Sequence, residues 1–260
     1  MDLLHEMLEA TAAAWHGSPA LADRTGTLWY ARVAEATEAA AAGLIELGLR
    51  RGDRVAVWLP RRTEKAVALY GAMRAGSVAV PVNFLLKAPQ VAHILRDSGA
   101  RTLITTGARL SQLVREIPCP SGLHAVITVD GPPAAEFPSC PTLTLHELLT
   151  SPARAAPPSI DTDVDALFCT SGSIGKPKGV VRSHRTMVGG ARSVSSYLGN
   201  TADDRPLAVP SFSFHYGFCE ISTAFAVGAS IVMLDYTLPQ ELLQTLDRER
   251  ITGLAAVPPM

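Results

Sequence analysis

Residues 168–184 read FCTSGSIGKPKGVVRSH, with three hydroxyl side chains, three glycines and two lysines inside positions 170–179. A glycine-rich backbone that follows a strand turns several N–H groups to one concave side and makes an anion nest. Glycine also lets a ligand come close to the chain. Thr170, Ser171 and Ser173 add hydroxyl donors, and Lys176 and Lys178 add positive charge. Phosphate oxygens are the natural partner of such a set; the bland alternative is a solvated loop whose lysines serve solubility. The segment is not a Walker A loop. That pattern runs G-x-x-x-x-G-K-[ST], whereas Gly172 and Gly175 are three apart and Lys176 precedes Pro177. Proline lacks an N–H and fixes φ, so a phosphate-binding helix cannot begin there.

A second cluster is PSFSFHYGF, residues 210–218, where His215 lies among aromatic residues. On residue types alone it reads as a histidine packed in an aromatic cluster. His184 is different. It follows Ser183, a helix-capping residue type, and reads as structural. Arg182 and Arg185 flank that cap and read as a solvated face, with an anion contact as the alternative. His5, His16, His93, His124 and His146 have no metal-ligand spacing, so no metal site is expected. Cys119, Cys140, Cys169 and Cys219 contain no C-x-x-C pair and read as reduced thiols, neither a zinc site nor a disulfide framework.

The elements that must position these residues follow an alternating pattern. Helices are predicted over 31–47, from a Thr63 cap to Gly76, over 88–98 and near 107–116. Between them lie the short apolar runs RVAVWL, SVAVPV, TLIT and HAVITV. Such alternation predicts βαβ units and an α/β fold with a mostly parallel sheet. Residues 130–162, rich in proline and small residues, break the rhythm around a short helix at 145–149. A boundary there divides the chain into a first α/β subdomain, 1–150, and the start of a second, 151–260. The second begins with the strand VDALFCT, followed by helices over 183–198, near 216–227 and over 239–249, and by the strands LAVP, SIVML and TGLAAVP. The N-terminal MDLLHEMLEATAAAW reads as an amphipathic helix with Leu4, Met7, Leu8 and Trp15 on one side.

The 260 residues carry 23 Lys plus Arg against 24 Asp plus Glu. That balance argues against a general grip on nucleic acid or an anionic membrane. No basic n-region opens the chain, and the longest apolar run, 224–234, is too short to span a bilayer. A cytoplasmic protein without a transmembrane segment is expected.

With those features in place, TSGSIGKPKG, 170–179, resembles the signature loop of the acyl-adenylate-forming, or AMP-binding, enzymes. These include AMP-forming acyl-CoA synthetases, aryl-acid ligases, adenylation domains of nonribosomal peptide synthetases and luciferases. MRAGSVAVPVN, 73–83, is similar to the family's K-A-G-x-x-x-V-P segment, with Arg74 where lysine is common. PSFSFHYGF is similar to its aromatic-His/Asp segment, and ITGLAAVPPM, 251–260, to its V-T-x-x-x-x-V-P-P segment. The four occur in family order and span essentially the whole chain.

The resemblance implies the layered α/β N-terminal domain of the adenylate-forming fold, with the C-terminal portion missing. No aromatic-Gly-x-Thr-Glu segment is present, so a chain ending at Met260 is expected to be inactive alone. It implies attack of a carboxylate on the α-phosphate of ATP, then transfer of the acyl group to coenzyme A or to the pantetheine of an acyl carrier protein. Thr170, Ser171, Gly172, Ser173, Gly175, Lys176 and Lys178 are implied to hold the phosphates with Mg²⁺. Lys178 and His215 are the implied catalytic residues. Ile174 stands where threonine is usual and removes one hydroxyl contact. His215 replaces the aspartate that pairs with an α-ammonium in the amino-acid-activating branch. Phe214, His215, Tyr216 and Gly217 are therefore implied to line a pocket for an acyl or aryl acid rather than an amino acid. The alternative is a non-catalytic module that binds a nucleotide or a partner.

Overall fold

Val55, Ala56, Val57 and Trp58 are all fully buried, as a strand covered on both faces requires. They belong to a chain whose computed structural model describes residues 3–170, 178–236 and 238–256. Helix α1 (Leu4–Ala14) precedes a hairpin of β1 (Pro19–Asp23) and β2 (Gly26–Trp29), and α2 (Tyr30–Glu46) follows. Strand and helix then alternate: β3 (Arg54–Trp58), α3 (Thr63–Arg74), β4 (Val78–Pro81), α4 (Ala88–Ser98), β5 (Ala100–Thr105), α5 (Gly107–Glu116) and β6 (Ala125–Thr128). After β7 (Thr142–Thr144) and α6 (Leu145–Leu149) comes a second hairpin, β8 (Val164–Thr170) and β9 (Lys178–Ser183). The chain continues through α7 (His184–Leu198), β10 (Pro206–Ala208), α8 (His215–Val227), β11 (Ile231–Met233), α9 (Pro239–Arg248) and β12 (Gly253–Leu254).

The strands form two sheets, ordered β7-β6-β5-β3-β4-β8-β9 and β12-β10-β11-β1-β2. Every neighbouring pair is parallel apart from β8–β9 and β1–β2, each an antiparallel hairpin at one edge of its sheet. The mostly parallel α/β reading therefore holds. The sheets do not divide at residue 150. The early hairpin joins the sheet of the late strands, and the late hairpin joins the sheet of the early ones.

Successive strand residues feed different cores. Val55 and Val57 share one core with Ile231 and Met233, together with side chains of α1, α2, α3, α7 and α8. Ala56 and Trp58 face the other way and pack with residues of α4 and α5. Val232 and Leu234 pack with Leu242 and Leu246 of α9. The layers thus run helix, sheet, helix, sheet, helix. In the middle layer α2 and α3 approach closely at Gly71, where a Cβ would come within 2.7 Å of the Ala40 Cβ.

Two local expectations need correction. Thr63 is the first helical residue rather than the cap, which is Arg62. The Thr63 N–H donates instead to Asp23 Oδ2 at 2.8 Å, so the end of β1 supplies the carboxylate that a helix start favours. Trp15 follows the end of α1 and is 45% exposed, while Leu4, Met7 and Leu8 are buried as expected. Ser183 does cap α7, accepting from the Thr186 N–H.

Candidate active site

The β8–β9 register pairs Thr170 with Lys178, Cys169 with Gly179 and Phe168 with Val180. The two ends of the predicted phosphate segment are thereby brought opposite each other at the C-terminal end of β8. Ligands of open α/β sheets bind outside the carboxyl ends of their strands. Lys178 opens β9 and is exposed. Ser171, Gly172, Ser173, Ile174, Gly175 and Lys176 lie outside the described residues.

Directly paired antiparallel residues point to the same face. Phe168 and Val180 both join the core between the sheets. The Phe168 ring meets His215 edge-on, with centroids 5.7 Å apart and planes at 84°, and lies 5.7 Å from Phe218. His215 opens α8 behind an extended Phe214. One turn on, Cys219 Sγ lies 3.6 Å from both ring nitrogens of His215. Arg182 stands opposite Ala166, two positions from Val180, and so on the same side of β9. Burial first, and then the Arg182 charge, hold the His215 imidazole below its ordinary value, so it is neutral near pH 7. Burial pushes the Cys219 thiol up to about 11.

The residues expected at the pocket separate. His215 faces Phe168, whereas Phe214 and Tyr216 are 42% and 51% exposed. Gly217 is buried, and a Cβ there would come within 2.4 Å of the Ser211 carbonyl oxygen, so close backbone packing alone requires a glycine. Arg182 is not the solvated residue the sequence suggested: its Nε is buried and has no hydrogen-bond partner. Arg185 is held by Asp161, with contacts of 2.6 and 3.1 Å. Period-two spacing from Val180 marks Arg182, and i+4 spacing from His215 marks Cys219, but neither signal is usable before β9 and α8 are known to face each other.

The model for the family described as AMP-binding enzyme matches residues 8–260. The chain belongs to that family. Syringomycin synthase SyrB1 of Pseudomonas syringae pv. syringae is 31% identical over 264 residues, covering 98% of this chain and 39% of that protein. The long-chain-fatty-acid–CoA ligase FadD13 of Mycobacterium tuberculosis is 36% identical over 174 residues, covering 66% of this chain and 32% of its own length. Among solved structures, the anthranilate CoA ligase AuaEII in complex with anthranoyl-AMP shares the fold, with a TM-score of 0.88 at 24% identity. That match covers 97% of this chain and 49% of the AuaEII chain. The chain therefore spans half or less of the length of each.

In this member of the family the opposite end of the hairpin is also polar, but closed. Asp165 is fully buried, His184 is 2% exposed, and the two approach to 3.8 Å. The Leu4 N–H donates to His184 Nδ1 at 3.2 Å, which requires a neutral ring with its proton on Nε2. Burial takes His184 down to about 4 and Asp165 up to about 8, so the pair is not ionic at neutral pH. His5 packs edge-on against His184 at 5.7 Å, and burial with the His184 and Arg74 charges takes it to about 3. The structure thus shows His184 as a packed residue.

A further group of charges, from buried Lys65 to exposed Asp235, lies where β3, β10 and β11 end. Lys65 is 1% exposed, donates from Nζ to the Leu59 carbonyl at 2.8 Å, and is lowered by burial to about 7. Arg61 bonds the Val209 carbonyl and pairs with Asp235, while burial raises Glu220 to about 8. Sequence reading singled out none of these groups. Among the described residues no cluster of His, Cys, Asp or Glu is arranged to hold a metal ion. No helix among them is long and apolar enough to cross a membrane.

Proposed function

We propose that the polypeptide carrying this chain activates a carboxylic acid with ATP and passes the acyl group to a thiol. In the first step a carboxylate oxygen attacks the α-phosphorus and the bond to the pyrophosphate oxygen breaks. Two anions must meet, so donors and positive charge have to be held in place beforehand. Lys178, at the mouth of the β8–β9 hairpin, is assigned to the leaving pyrophosphate together with the backbone and hydroxyls of 170–176. Mg²⁺ supplies further charge on the phosphates when the nucleotide is bound.

One observation carries the choice of acid. His215 is a neutral imidazole set edge-on to Phe168, with the Arg182 guanidinium within electrostatic reach. An α-ammonium would need a fixed negative charge that a neutral ring cannot give, and Arg182 would repel it. An apolar or aryl carboxylic acid would meet aromatic surface instead, with its carboxylate drawn toward the arginine side. The FadD13 relative, a fatty-acid–CoA ligase, favours coenzyme A as the acceptor, with carrier-protein pantetheine as the alternative.

ATP–pyrophosphate exchange with a panel of acids tests the reading. Exchange supported by aryl or fatty acids and not by α-amino acids is expected. Strongest exchange with an amino acid would overturn the assignment of His215. Nucleotide binding without exchange for any acid would favour the non-catalytic module.

A further inference from the structure

Strand β9 carries Lys178, Val180 and Arg182 at every second position, so the three side chains leave one face of it. Their ladder partners on β8 are Thr170, Phe168 and Ala166. Val180 and Phe168 belong to the core between the sheets, which fixes the face. Along that face the hairpin runs from a cation beside a hydroxyl at its mouth, through an apolar stretch met by the His215 ring, to a second cation.

The second cation is unmatched. Arg182 is half-buried, and its buried Nε has no hydrogen-bond partner. Asp165 adjoins the ladder partner Ala166 and yet does not neutralise it. Neither carboxyl oxygen of Asp165 has a hydrogen-bond partner, and burial takes the group up to about 8. A buried donor left unmet is unfavourable. A carboxylate placed against the guanidinium fork satisfies it in the geometry that arginine recognises best.

We propose that the acid activated at this site is a dicarboxylic acid whose second carboxylate accepts from Arg182. This names the substrate class of the acid-activating reading above and rests on that reading. The reacting carboxylate has to stay at the mouth of the hairpin, beside the α-phosphorus. Arg182 is attached four positions beyond Lys178, roughly 13 Å along an extended strand. A monocarboxylate drawn onto Arg182 is therefore withdrawn from the reaction. A dicarboxylate fits both ends, with its spacer against Phe168 and Val180 and its far carboxylate on Arg182.

The test is equilibrium binding to the 260-residue chain at pH 7. Two pairs of acids are compared, adipate against hexanoate and terephthalate against benzoate, each pair differing in one carboxylate. Binding is followed by NMR at the Arg182 Nε–H and at the His215 ring. In at least one pair the dicarboxylate should bind about tenfold more tightly than its monocarboxylate, the scale of a charge-assisted hydrogen bond. It should also shift the Arg182 Nε–H signal. Arg182→Leu should remove the preference, and Arg182→Lys should keep part of it. The preference in the unsubstituted chain decides by itself where Arg182→Leu does not fold. Equal affinities within both pairs, or a preference that survives Arg182→Leu, would overturn the proposal and leave acid binding at His215 standing. If none of the four acids moves the His215 signals, the acid-activating reading of this site falls and the proposal falls with it.

Discussion

At one end of the β8–β9 hairpin Lys178 is exposed and His215 is half-buried; at the other Asp165 is fully buried and His184 is 2% exposed. Both ends hold polar residues, yet they deal with charge in opposite ways. At the open end Lys178 leads out of a segment rich in N–H and hydroxyl donors, an arrangement that suits an incoming anion. At the closed end burial keeps both histidines and the carboxyl neutral near pH 7, and a backbone N–H occupies His184 Nδ1. A titratable group can bind a ligand only where solvent, and therefore the ligand, can reach it. Burial rather than residue type separates the two histidines that the sequence places 31 positions apart.

Phe168 lies between the two ends, and removing it gives the largest expected effect. It is 1% exposed and touches both His215 and Phe218. Phe168→Ala should cost about 3–5 kcal/mol of unfolding free energy, measured by urea denaturation. A loss below 1 kcal/mol would mean that the site wall is not part of the core.

The closed end should make stability depend on pH with two opposing slopes. His5 and His184 have folded values of about 3 and about 4, below the ordinary 6.5, so their contribution is complete above 6.5 and is lost as pH falls. Asp165 is raised from 3.8 to about 8, so its contribution is present at low pH and is lost as pH rises through that interval. Below pH 6.5 two histidines outweigh one aspartate; above it the aspartate acts alone. This cluster therefore predicts maximal stability near pH 6.5 and a fall of about 1.4 kcal/mol per pH unit from there to about 8. Asp165→Asn should flatten that alkaline fall in urea titrations from pH 4 to 9. An unchanged slope would place the proton elsewhere.

Much of this arrangement is legible in the residues. The helices over 88–98, 107–116 and 145–149 fall where periodicity and caps place them, and His215 is marked by its motif. Other features depend on distant partners. The β1–β2 hairpin is missed because its sheet partner, β11, lies some 200 residues away: Leu21 pairs with Ile231. Strand β7 has three residues, too few for a period, and β9 reads as the tail of a glycine-rich loop until Val180 is seen opposite Phe168. Asp165, Lys65 and Glu220 defeat sequence reading for one shared reason. A charged residue type predicts exposure, and only tertiary packing reverses it.

At the open end the two lysines of the phosphate segment should differ. Lys178 is tied to Thr170 by the ladder register, so it starts from a fixed backbone position. Lys178→Ala is expected to weaken binding of a fluorescent ATP analogue about tenfold, the scale of one charge-assisted hydrogen bond. Lys176→Ala should weaken it less. Equal losses would contradict the assignment of Lys178 and leave the segment as a general cationic patch.

The smallest effect isolates Arg182. Burial is the larger cause of the lowered His215 value, and the guanidinium adds to it by disfavouring a second positive charge nearby. Arg182→Leu removes the charge and keeps an apolar stem on the same side of β9. The His215 titration, followed by imidazole proton NMR, should then move up toward the ordinary imidazole value without reaching it, because the ring stays half-buried against Phe168. His184, already fully enclosed, should keep its titration. If His215 does not move, Arg182 does not act on the ring, and the electrostatic case against an amino-acid substrate rests on the missing carboxylate alone. If both histidines move, the substitution has loosened the hairpin, and the two ends are coupled through β8 rather than independent.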